Sequence, residues 1–109
     1  MITYEDFARL DIRVGQITSA EYSEKAKKTA YKLWIDLGEE IGIKTSSAQI
    51  TECYKKDELI GRQVLCVINF PPRNVAGFIS EVLVLGIYAS QGVVLIQPEQ
   101  PVKEGDKAG

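Results

Sequence analysis

Tyr31, Leu33, Ile35 and Leu37 alternate with Lys32, Trp34 and Asp36, the period-two pattern of a β-strand with one face in a core and one turned out. The outward face carries a tryptophan beside a lysine. Around this strand the rest of the chain reads as more of the same. Ile12 to Tyr22 holds Ile12, Val14, Ile17 and Thr18, a long first strand whose alternation slips at Gly15, where a bend or bulge is expected. Ile43 to Ser46 reads as a short third strand, Gln63 to Ile68 as a fourth and Glu81 to Tyr88 as a fifth. Val93 to Gln97 gives a short extra strand closed by Pro98 and Pro101.

Helical signals are few. Thr3 and Asp6 have the spacing of a capping box, and Tyr4, Phe7, Ala8 and Leu10 recur at helical intervals, so a short helix is expected over residues 3–9. Ser47 to Tyr54 has residues suited to a capped helical segment, with Ser47 as N-cap. Lys55 to Arg62 is a polar connection with room for a turn of helix. Three strands, a helix and two strands is the order of a five-stranded OB barrel rather than of a sandwich or a βαβ sheet. The expected fold class is therefore all-β: an OB-fold barrel with a short N-terminal helix, a helix between strands 3 and 4, and a C-terminal extension. At 109 residues it is expected to be a single domain over 1–109.

The fourth and fifth strands are joined by a segment that no simple hairpin needs. Hairpin loops are usually two to five residues long, whereas Asn69 to Ser80 is far longer. Pro71 and Pro72 stiffen it, Gly77 permits close backbone approach, and Asn69, Arg73, Asn74 and Ser80 offer hydrogen-bonding groups. It reads as a preformed recognition loop.

Composition removes several function classes. The chain has no histidine, the commonest general base and metal ligand. There is no Ser-x-x-Lys, no Gly-x-Ser-x-Gly elbow and no glycine-rich phosphate cradle, so no catalytic residues, cofactor or metal are expected. Cys53 and Cys66, the only cysteines, lack Cys-x-x-Cys spacing and read as reduced, packed thiols. No apolar run reaches the roughly 20 residues that cross a bilayer, and the opening residues lack a signal-peptide pattern. A cytoplasmic location without membrane insertion is the expectation.

A net charge of −2 and a pI near 5.2 mean that any nucleic-acid site must be local, because nonspecific affinity comes from basic excess. An OB barrel binds oligonucleotides on its strand 2 and 3 face, between the loop joining strands 1 and 2 and the loop joining strands 4 and 5. Here the first loop carries Lys25, Lys27 and Lys28, able to attract phosphates, and the second carries Arg73, Asn74 and Ser80, able to reach bases or sugars. Lys32 and Trp34 face outward between them. Trp34 suits either a stacking platform for a base or a subunit interface. Phe70 and Phe78 are expected to pack the loop onto the barrel. In a rival reading they join Val75 in an apolar groove for peptides.

Leu10 to Gly15 (Leu-Asp-Ile-Arg-Val-Gly), Tyr31 to Asp36, Lys44 to Thr51 (Lys-Thr-Ser-Ser-Ala-Gln-Ile-Thr), Gly61 to Val64 and the loop itself together resemble the CsaA family of export-related chaperones. That family belongs to the tRNA-binding OB-domain superfamily. Asn69, Pro72, Arg73, Gly77 and Ser80 stand where the superfamily carries its recognition motif. Glu81 departs from many synthetase appendices, which have an uncharged polar residue there, and its carboxylate is expected to oppose tight tRNA binding. The resemblance implies a homodimer built partly from the N-terminal helix and C-terminal segment, and tRNA recognised by shape. It also implies a chaperone-like activity toward unfolded or export-bound polypeptides.

Overall fold

The computed structural model describes residues 1–23 and 29–109; Lys25, Lys27 and Lys28 of the basic loop lie outside the described residues. Helix α1 (Tyr4–Ala8) starts as expected: the Asp6 amide donates to the Thr3 hydroxyl and the Thr3 amide to the Asp6 carboxylate, a complete capping box. It buries no residue. Strands β1 (Ile12–Ser23), β2 (Ala30–Asp36), β3 (Ile43–Ala48) and β4 (Gln63–Val67) follow, with α2 (Lys56–Leu59) before β4. After β4 come β5 (Arg73–Val75), β6 (Phe78–Ser80), β7 (Leu83–Val84), β8 (Gly86–Ala89), β9 (Gly92–Leu95) and β10 (Lys107–Ala108). The main sheet runs β3-β2-β1-β4-β7, with β10 added to β1, and curls into the OB half-barrel.

β1 holds this sheet together because it pairs with β4 over residues 12–16 and with β2 from Gln16 to Ser23. The register slip between them falls between Ile17 and Ser19. Thr18 is thus the extra residue, rather than Gly15, and its hydroxyl donates to the Trp34 carbonyl at 3.2 Å. Gly15 has a different cause: a Cβ there would collide with the Ile35 side chain and come within 2.8 Å of Leu37. The β2 alternation is realised as read. Leu33, Ile35 and Leu37 are completely buried with Ile17, Leu59, Val64 and Cys66, while Lys32, Trp34 and Asp36 lie half-buried on the outer face. Each such aliphatic side chain contributes roughly 1.5–3 kcal/mol by burial.

Three expectations need correction. Ser47 to Tyr54 is not helical: Ser47 and Ala48 extend β3, pairing with Lys32 and Tyr31, and the helix forms one turn later as α2. Its Leu59 is the buried residue that docks it. The fifth strand is not continuous from Glu81 to Tyr88; β7 pairs with β4, and β8 leaves to form a separate ribbon with β9. Gly86 lets β9 pack close against β8, since a Cβ there would meet Val93 at 2.5 Å. Finally, the Asn69 to Ser80 segment, read as a loop, contains a hairpin of its own.

Candidate nucleic-acid interface

The hairpin is built from β5 and β6 with Arg73 opposite Ser80, Asn74 opposite Ile79 and Val75 opposite Phe78. A two-residue turn, Ala76 and Gly77, connects them with φ of 52° and 88°. Positive φ at both central positions is the turn that matches strand twist, and glycine takes the second at no steric cost. The Gly77 amide donates to the Asn74 side-chain oxygen at 2.8 Å. Asn74 and Gly77, both candidate RNA residues, are thus the chemistry of the turn, and both are exposed.

Side chains and the backbone just after β6 dock this ribbon on the outer face of β2 and on the outer edge of β3. Phe78 meets Trp34 edge to face, with ring centroids 5.5 Å apart, and Lys32 Nζ lies 5.5 Å from the centre of the same ring. Trp34 therefore spends part of its outer surface on the hairpin, and Phe78 has the packing role expected of it. At the β3 edge, the Ser47 amide donates to Ser80 Oγ at 3.0 Å. The Thr45 carbonyl accepts from the amides of Glu81 and Val82 at 2.8 and 3.1 Å. The Thr45 amide donates to Glu81 Oε1 at 3.1 Å. The single Thr45 hydroxyl proton is shared between the Ile79 carbonyl at 2.7 Å and Glu81 Oε1 at 2.9 Å. Thr45 and Ser47 are the anchors that sequence reading missed; a run of hydroxyl residues on a strand otherwise poor in apolar side chains was the available signal.

Asn69 begins the segment and faces away from it. Its side-chain oxygen accepts from the Asp11 amide at 2.9 Å and its side-chain nitrogen donates to the Arg9 carbonyl at 2.7 Å. It clamps the α1–β1 junction. Asp11 continues the chain of contacts through an ion pair with Arg13 at 2.6 Å, and Arg13 donates to the Gly105 carbonyl at 3.0 Å. The hydrogen bond from Arg13 holds the Asp11 carboxyl below its ordinary range, and the same contact raises the Arg13 guanidinium.

Arg73 is left at the surface. Ion pairs among the described residues join Arg13 to Asp11 and Lys44 to Glu81 at 3.9 Å; Arg73 is in neither. Phe70 is 45% exposed and stands between two small clefts. One of about 170 Å³ also takes in Ser47, Arg73, Val75 and Leu83, and another of about 240 Å³ takes in Ile41, Lys44, Ile68 and Pro72. Val75 thus lies beside Phe70, while Phe78 is on the Trp34 side. Among the described residues no three His, Cys, Asp or Glu side chains could hold a metal ion, and no helix is long and apolar enough to cross a membrane.

Comparison with known proteins matches residues 12–107 to the putative tRNA-binding domain family. The CsaA chaperone protein of Picrophilus torridus superposes with a TM-score of 0.96 at 53% identity, covering all of both chains. The chain belongs to the CsaA branch of the putative tRNA-binding domain family. The CsaA chaperone of Bacillus anthracis is similarly close, with a TM-score of 0.93, 49% identity, and 100% and 99% of the two chains covered. The methionine–tRNA ligase of Methanococcoides burtonii is 41% identical over 106 residues, 96% of this chain but 15% of that enzyme. The chain spans only 13–15% of the curated methionine–tRNA ligases it matches.

Proposed function

We propose that this chain binds structured RNA of the tRNA class, without catalysing a reaction, on the face where the β5–β6 hairpin lies over β2 and β3. The observation that carries the reading is Arg73, an exposed cation on a ribbon anchored one ladder partner away, at Ser80. A cation held in place by the fold contacts phosphate with less ordering cost than one on a free loop. Lys32 and the Trp34–Phe78 pair provide a neighbouring basic and aromatic surface. Lys25, Lys27 and Lys28 add phosphate contacts from the loop between β1 and β2. Asn69, Asn74, Gly77 and Ser80 serve this surface through the shape of the segment rather than by touching RNA. Residues 1–109 act as one domain, in a cytoplasmic homodimer.

Titrating tRNA at two salt concentrations tests the reading. Binding that weakens with salt is expected, because phosphate contacts release counterions. No binding at low salt would refute it.

A second reading, peptide binding, draws on the clefts beside Phe70 and Val75 and on the chaperone description of the CsaA neighbours. Suppression of client aggregation that excess tRNA does not relieve would favour it.

A further inference from the structure

We infer that Glu81 is the positioning residue that keeps Arg73 in its RNA-binding place, an inference that rests on the RNA reading above. By charge alone, a carboxylate near this surface opposes a polyanion. Its contacts point the other way. β3 is the edge of the main sheet, and the backbone of Thr45 is paired to residues 81 and 82: its carbonyl accepts from the amides of Glu81 and Val82, and its amide donates to the Glu81 carboxylate. The carboxylate thus stands in for a strand carbonyl at the point where the barrel closes. The same oxygen lies 2.9 Å from the Thr45 hydroxyl, and the other is 3.9 Å from Lys44.

Two further observations tie this closure to Arg73. The β5–β6 ribbon is a sheet of two strands that shares no ladder with the barrel, and a two-stranded ribbon alone is marginal in water. Its position therefore depends on the contacts at Ile79, Ser80 and Glu81 and on Phe78 against Trp34. Arg73 pairs with Ser80, the residue directly before Glu81. Without the carboxylate the Thr45 amide has no partner at the edge, and the ribbon loses an anchor next to the Arg73 ladder position.

Charge and position make opposite predictions for one pair of variants. Glu81→Gln removes the charge and keeps an oxygen for Thr45, whereas Glu81→Ala removes both. The positioning role predicts tRNA affinity equal to or tighter than wild type for Glu81→Gln. For Glu81→Ala it predicts affinity about three- to tenfold weaker, the scale of re-ordering one or two surface groups on binding. Loss of the Arg73 contact should also lower the salt slope of Glu81→Ala by about 1. Glu81→Ala binding as tightly as Glu81→Gln would overturn the inference. Wild-type protein that fails to bind tRNA would refute the RNA reading instead, and amide exchange of Arg73, Asn74 and Val75 then decides the positioning role. Faster exchange in Glu81→Ala than in Glu81→Gln supports it, and unchanged exchange overturns it.

Discussion

Replacing Asn69 by alanine removes two hydrogen bonds that cross the molecule, one accepted from the Asp11 amide at 2.9 Å and one donated to the Arg9 carbonyl at 2.7 Å. A hydrogen bond contributes roughly 0.5–1.5 kcal/mol net. Both bonds lie at exposed positions where water replaces part of what is lost, so Asn69→Ala should cost about 1–2 kcal/mol. For a domain of this length that corresponds to a fall in Tm of about 5–10 °C. The damage should be local first. Helix α1 has no buried residue, and the junction it hangs from keeps the Asp11–Arg13 ion pair and backbone support, including the Ile68 amide donated to the Asp11 carbonyl at 2.9 Å. Thermal melts should be run beside amide exchange, with Asn69→Leu as a variant that fills similar volume without hydrogen bonds. Equal losses in both variants and faster exchange at Asp11 are expected. A Tm within a degree of wild type and unchanged exchange at Asp11 would refute the clamp and return Asn69 to the list of direct ligands.

Ser80→Ala leaves the half-buried Ser47 amide without its acceptor and should destabilise by about 1–3 kcal/mol, read by denaturant unfolding; an unchanged midpoint contradicts the edge anchor. The Asp11 carboxyl titrates below its unfolded value because of Arg13. Its stabilising contribution is present above the unfolded pKa and is lost as pH falls through the folded one. Asp11→Asn should therefore flatten the acid side of the stability profile, and an identical acid limb would contradict the pairing. Burial pushes the Cys66 thiol up to about 12, so at pH 8 its thiolate fraction is on the order of one in ten thousand. Native protein should take up one alkyl group, at the half-buried Cys53, and two when unfolded; two in the native state contradicts the packing of β4.

Local patterns carried the barrel. The alternation through Tyr31 to Leu37 and the Thr3–Asp6 cap are decided by residues within a few positions of one another, and both form as read. Ser47 to Tyr54 differs from the expected helix: a serine hydroxyl suits an N-cap, while in the structure the Ser47 amide and its hydroxyl-rich strand lie at the sheet edge. Pairing with Lys32 and Tyr31 of β2 makes Ser47 and Ala48 part of a strand, and the outer-edge partner of the Ser47 amide, Ser80, is 33 positions away. The roles of Asn69 and Glu81 were hidden for the same reason: their partners lie 58 and 36 positions distant, beyond any periodicity. The residues that resemble a recognition motif were legible as a group. Their division into scaffold and exposed cation was not.

The measurement that bears most directly on RNA binding is the salt dependence of tRNA affinity in wild type and Arg73→Ala side by side. Wild type should lose affinity linearly on a logarithmic salt scale, and Arg73→Ala should bind more weakly with a slope smaller by about 1, the signature of one lost phosphate contact. Affinity indifferent to salt, or an Arg73→Ala variant indistinguishable from wild type, would contradict an RNA surface centred on the β5–β6 hairpin.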